Sequence, residues 1–238
     1  MALLEVDKIT TYRGSQKVLD SVSFSVEEKT MVGIIGPNGA GKTTIFDAIS
    51  GFFKPGKGRI SFERIEITHF PPHRIAKMGL GRTFQIPRPF KEQTVFENVL
   101  LGHLMSRPGL IDPDEVITET NIILEKLELS SKKERLAGEL TLSEQRRLEI
   151  ARALATNPRL LLLDEVAAGL SPAAIDRLVN LLKQLNSQGM TIVIIDHFLN
   201  LTMQLASNVV VLDSGRKIAE GRPDEVLNMR LVRDAYLG

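Results

Sequence analysis

The chain has 238 residues, 43% hydrophobic and 25% charged, a composition that folds and a length that buries a core. Lysine and arginine number 30 against 29 aspartates and glutamates, so no global positive field draws the chain to nucleic acid. There is no cysteine, which excludes disulfides and thiolate metal sites.

In chain order, the first thirty residues read as β structure. "YRGSQ" is a hairpin turn, and Val22, Phe24 and Val26 alternate with Ser23 and Ser25. Glu5 and Asp7 interrupt the N-terminus too early for a signal peptide, and no apolar run reaches the ~20 residues of a membrane span. "MVGIIG" (31–36) is a short apolar run leading into a glycine-rich loop and the helix "KTTIFDAIS", which Gly51 stops. "KPGKG" is a turn and "GRISF" another strand. From about residue 85 to 155 the pattern turns helical, in "TVFENVLLGHLM" and "DPDEVITETNIILEKLEL". "RLLLLDE" and "MTIVIIDH" are then apolar enough to be parallel strands buried on both faces. The helix "AAIDRLVNLLKQLNSQG" lies between them, and "NVVVLDSGRKIAEG" reads as strand, tight turn and strand.

"GPNGAGKTT" spans Gly36, Pro37, Asn38, Gly39, Ala40, Gly41, Lys42, Thr43 and Thr44. It satisfies the phosphate-loop pattern and sits between a strand and a helix, the context that pattern requires. Its glycines let backbone amides approach phosphates, and the helix N-terminus adds positive potential. Lys42 is assigned to the β- and γ-phosphates and Thr43 to Mg²⁺. "LLLLDE" carries two carboxylates to the ligand-binding edge of a sheet. Asp164 there suits Mg²⁺, through water, and Glu165 suits a general base for attacking water. His197 closes another apolar strand on the same edge, where it can contact the γ-phosphate. His69, His73 and His103 have no such context.

These motifs, in this order along the whole chain, resemble the ATP-binding subunit of ATP-binding-cassette transporters. The resemblance implies an α/β P-loop NTPase fold of the RecA-like kind: a mixed sheet, an N-terminal antiparallel β portion and an inserted helical subdomain. It implies one nucleotide-binding domain over 1–238, with 1–85 and 156–238 as core and 86–155 as the helical, signature-bearing subdomain. By the same resemblance Tyr12 stacks on adenine, Gln85 touches Mg²⁺ and water, and "AAGLSP" (167–172) contacts an opposite subunit. ATP and Mg²⁺ are the implied cofactors. The implied partners are membrane permease subunits and a second ATP-binding subunit. The chain is then cytoplasmic, held on the inner face of the cell membrane by its partner. "GRTFQIPRPFKEQTVFENV", "RRLEIARALATNP" and the ending "VRDAYLG" resemble the importers of branched-chain and other hydrophobic amino acids, or of amides and urea, although the segment from Leu104 to Ile117 is short for that branch. A soluble assembly ATPase and a weakly hydrolysing regulatory subunit are the alternatives. "IPRPF" and "TVF", between Gln85 and Phe96, are the expected permease-docking stretch.

One stretch departs from the family. Where a Leu-Ser-Gly-Gly-Gln signature normally contacts the opposite subunit's ATP, this chain has Leu140, Thr141, Leu142, Ser143 and Glu144. Thr141 and Glu144 form a capping-box pattern instead. Both glycines are gone, and a unit like charge about 6 Å from phosphate costs roughly 3 kcal/mol at a dielectric of about 20. The expectation is a weakened signature, and so a heterodimer in preference to a homodimer. Val166, where the family usually has proline, alters the loop after Glu165.

Overall fold

The computed structural model describes residues 2–106, 112–196 and 199–237. Strands β1 (Ala2–Arg13) and β2 (Gln16–Glu27) form the N-terminal hairpin, and β3 (Met31–Ile35) runs into helix α1 (Lys42–Ile49). Strands β4 (Lys57–Phe62) and β5 (Ile65–Glu66), helix α2 (Pro72–Lys77) and strand β6 (Leu80–Arg82) follow. Among its described residues, segment 86–155 carries the α-helices α3 (Val95–Ser106), α4 (Pro113–Lys126) and α5 (Leu142–Ala155). The chain then alternates through β7 (Leu160–Asp164), α6 (Pro172–Ser187), β8 (Thr191–Ile195) and α7 (Leu199–Leu205). It ends with β9 (Asn208–Asp213), β10 (Arg216–Gly221), α8 (Pro223–Asn228) and α9 (Arg230–Leu237). Of the segment 104–117, residues 107–111 lie outside the described residues.

Two sheets result. One is antiparallel, in the order β2-β1-β4-β5. The other is mixed, in the order β10-β9-β3-β8-β7-β6, parallel except for the β9–β10 pair. The apolar runs of β7 and β8 are split by strand periodicity between two cores. Leu160, Leu162, Val193 and Ile195 face the layer shared with α1 and the antiparallel sheet. Leu161, Leu163, Ile192 and Ile194 face α5 and α6 on the other side. Four fully buried side chains in each strand, two toward each core, explain why neither strand shows polar alternation.

The strand order places the chemistry. The phosphate loop leaves the end of β3, the two carboxylates end β7, and β8 lies between them. Strand β6 pairs with β7 at Leu80–Leu160, Gly81–Leu161 and Arg82–Leu162, which brings residues 82–85 beside Asp164. Three residues are too few for a periodic signal, so β6 is not legible in the sequence. No helix among the described residues is long and apolar enough to cross a membrane.

Candidate functional site

The loop 36–41 turns on two glycines for steric reasons. A β-carbon on Gly36 would stand 2.0 Å from the Leu212 carbonyl oxygen, and one on Gly41, at φ 100°, would stand 2.6 Å from Leu19 Cδ2. Only glycine lets the backbone leave β3 and enter α1 this tightly. Pro37, Asn38 and Gly39 rim the loop, Ala40 packs into the core, and Thr44 is buried while Thr43 is exposed in the first turn of α1. Lys42 lies inside the loop: its Nζ donates to the carbonyls of Gly36 at 2.7 Å and Pro37 at 2.9 Å. Burial pulls its ammonium below the usual lysine range, against the opposing charges of Glu165 and Asp164. A buried cation held by loop carbonyls is poised to exchange them for phosphate oxygens.

Asp164 ends β7 with a side chain only 1% exposed. Its Oδ2 faces Arg82 Nη2 at 3.3 Å, while its buried Oδ1 has no hydrogen-bond partner. Burial raises its pKa to about 6, with the charge of Arg82 pulling the other way. A buried, unpartnered carboxylate oxygen is costly unless it has a ligand, and a hard divalent cation is the ligand this oxygen suits. Glu165, the next residue, has φ 49° and donates its backbone N–H to the Ile195 carbonyl at 2.8 Å. Its Oε2 accepts from Gln85 Nε2 at 2.6 Å. The structure thus brings Lys42, Asp164, Glu165 and Gln85 to one edge of the mixed sheet. Tyr12 stands at the end of β1 with its ring 41% exposed. His197 lies outside the described residues.

The ABC transporter family matches residues 19–168 of the chain. The chain belongs to the ABC transporter family. A second family, described as branched-chain amino acid ATP-binding cassette transporter, matches residues 216–238. The high-affinity branched-chain amino acid transport ATP-binding protein BraF of Pseudomonas aeruginosa is 39% identical, over 99% of this chain and 98% of its own. An ABC transporter cassette solved in its ADP conformation superposes with a TM-score of 0.90 at 37% identity, covering 100% of this chain and 99% of that one. A cassette solved as a dimer in a post-hydrolysis state, bound to ADP and Pi, gives 0.84 at 26% identity, covering 92% and 98%. This ABC cassette is an ATPase, with Mg²⁺ as the usual partner ion of its ATP.

The stretch from Thr141 to Glu144 is a helix start. Thr141 caps α5: its Oγ1 accepts from the Glu144 N–H at 3.4 Å, and its own N–H donates to Glu144 Oε2 at 2.9 Å. Glu144 Oε1 is paired with Lys132. Burial alone would raise the Glu144 carboxyl, yet the bonds from Lys132 and Thr141 outweigh it and hold the pKa below the ordinary value. Glu144 is 8% exposed, and its carboxylate is engaged by groups of its own chain. Leu142 is 44% exposed and rests on the loop after Glu165, where a β-carbon on Gly169 would meet its Cδ2 at 2.8 Å. Ser143 is half-buried.

Three groups of functional residues escape sequence reading because their partners are remote. Glu149 and Arg146 on α5 grip the peptide groups of Phe84, the residue before Gln85. Glu149 Oε1 accepts the Phe84 N–H at 2.9 Å and Arg146 Nη1 donates to the Phe84 carbonyl at 3.0 Å. Asp196, buried at the end of β8, accepts the Ala167 N–H at 3.1 Å and so holds the loop after Glu165, in which Val166 is fully buried. Arg82 reaches both α1 and β7. Asp196 is marked only by ending the apolar run "TIVII", while Arg82, Arg146 and Glu149 lie in mixed sequence that carries no local signal.

A groove with a volume of about 450 Å³ opens between α2, β6, α3 and α5. Phe52, Arg82, Phe84, Arg88, Phe90 and Met105 are among its lining residues. Of the stretch from Gln85 to Phe96, Arg88 and Phe90 border it. Gln85 points to Glu165 instead, and Phe96 packs against the core.

Proposed function

We propose that this cassette drives an importer of branched-chain or other hydrophobic amino acids. The observation that carries the proposal is a likeness to BraF that spans both chains, together with the family match at residues 216–238. Within that reading the site residues take the following roles. Tyr12 stacks on the adenine. Amides of the loop from Gly36 to Thr44 cradle the phosphates, and Lys42 leaves the Gly36 and Pro37 carbonyls for the β- and γ-phosphates. Thr43, Gln85 and Asp164 hold Mg²⁺, which supplies neutralisation of phosphate charge when bound. Glu165 takes a proton from the attacking water, and the Gln85 amide fixes its Oε2 until substrate arrives. His197 contacts the γ-phosphate.

Segment 86–155 acts as the moving helical subdomain around the core of 1–85 and 156–238. Its groove receives an apolar, acidic-rimmed element of a membrane permease, because Phe52, Phe84 and Phe90 offer rings and the exposed Arg88 offers charge. The cassette is thereby held at the inner face of the cell membrane. A second ATP-binding subunit closes over the site, and a heterodimer is favoured. Thr141, Leu142, Ser143 and Glu144 form a helix cap committed to its own chain, with side chains where a signature needs bare backbone.

The test is light scattering on purified Glu165→Gln, which lacks the general base and so retains bound ATP. The expected result is a monomer that binds ATP and Mg²⁺ but does not pair with itself. Conversion to a dimer overturns the heterodimer reading and leaves a homodimeric machine. ATP hydrolysis by the wild type that Glu165→Gln abolishes supports the assignment of the base. Equal turnover in both proteins refutes it.

A further inference from the structure

Arg82 sits where four parts of the cassette meet. Its Nη2 lies 2.8 Å from Asp47 Oδ1 and 3.3 Å from Asp164 Oδ2, and its Nη1 donates to Ser50 Oγ at 2.7 Å. Asp47 and Ser50 belong to the end of α1, the helix whose first turn carries Thr43. Asp164 ends β7. The guanidinium is enclosed by rings: its carbon is 5.1 Å from the centroid of Phe84, 5.5 Å from Phe52 and 5.8 Å from Phe46. Its side chain is 6% exposed. Thr83, the next residue, accepts the Asp164 backbone N–H through Oγ1 at 3.2 Å.

We propose that Arg82 is a positioning residue for the metal site, fixing the Thr43 helix against the Asp164 strand and turning Asp164 Oδ1 toward the ion. The inference rests on reading Asp164 as a Mg²⁺ ligand. The geometry separates the two oxygens of that carboxylate. Oδ2 is taken by Arg82, and Oδ1 is buried with no hydrogen-bond partner. One guanidinium also faces two carboxylates, so the cluster keeps a net negative charge for a cation. A planar fork that bonds α1 and β7 at once sets their separation before the ion arrives, which a lysine's single ammonium cannot do. Phe52 and Phe84 also line the groove, so an occupant that shifts their edge-to-face pair, 5.6 Å between centroids, acts on the residue that orients Asp164.

The experiment measures ATP affinity with a fluorescent ATP analogue, first in chelator and then across a Mg²⁺ titration, for the wild type, Arg82→Gln, Arg82→Lys and Asp164→Asn. The analogue's affinity in chelator should stay within about twofold in both Arg82 variants, because the loop from Gly36 to Thr44 is untouched. The Mg²⁺ concentration for half-maximal tightening should rise about tenfold in Arg82→Gln, and also in Arg82→Lys, which keeps the charge but not the fork. Asp164→Asn should lose the Mg²⁺ response. Arg82→Lys preserves the cation if Arg82→Gln fails to fold. An unchanged Mg²⁺ midpoint in a folded Arg82 variant, with Asp164→Asn deficient, overturns the positioning role. A tighter midpoint overturns it too, since Arg82 would then be competing with the ion. A normal Mg²⁺ response in Asp164→Asn removes the ligand assignment itself, and the inference with it.

Discussion

Replacing Glu149 with glutamine should change how the stability of the cassette depends on pH. Glu149 is 7% exposed, and its Oε2 has no hydrogen-bond partner, Arg146 Nη1 standing 4.0 Å away. Burial raises its pKa from 4.5 to about 7, against the Phe84 N–H and the charges of Arg146 and Arg152. The folded state therefore holds a proton between pH 4.5 and about 7 that the unfolded chain has released, so stability falls as pH rises through that window. At 1.36 kcal/mol per pH unit, the rise corresponds to a loss of about 3 kcal/mol by pH 8, an upper bound for a buried group that can relax. Glutamine keeps an oxygen for the Phe84 N–H and never ionises. Glu149→Gln should therefore match the wild type near pH 4.5 and exceed it by about 1–3 kcal/mol at pH 8. Urea unfolding at several pH values measures the difference. Parallel curves for the two proteins would show that Glu149 is ionised throughout and would refute the reasoning.

Two further substitutions test the local geometry. Gly36→Ala should cost about 3 kcal/mol or more and abolish the nucleotide-induced rise in melting temperature, because its β-carbon falls 2.0 Å from the Leu212 carbonyl oxygen; an unshifted melt with normal ATP stabilisation would contradict this. Thr141→Ala removes the cap acceptor for the Glu144 N–H and should cost about 1 kcal/mol in chemical denaturation. If stability is unchanged, the Glu144–Lys132 pair alone holds the start of α5.

How much of this could be read from the chain depends on distance along it. The phosphate loop is legible because its glycines, Lys42 and Thr43 act on one another within nine residues. The cap at Thr141 is legible for the same reason, and its side-chain bonds join residues 3 apart. The pairing of Glu144 with Lys132 is not: those residues are 12 apart, and the turn that brings Lys132 back has no periodic signature. The stretch from Gln85 to Phe96 does not act as one unit, since Gln85 and Arg88 are close in sequence yet turn to different places.

Local spacing by itself determined the strand–loop–helix at Gly36, the buried strand ending in Asp164 and Glu165, and the capped start of α5. Those are interactions between near neighbours, governed by backbone geometry and side-chain period. Tertiary structure alone decided the rest. Arg82 reaches Asp164 across 82 residues, Glu149 reaches Phe84 across 65, and Asp196 reaches Ala167 across 29. Each contact exists because β6 lies beside β7, because α5 packs beside residues 84–90, or because β8 lies beside β7. That order is set by burying two apolar faces at once, a condition on the whole sheet that no short stretch of the chain contains.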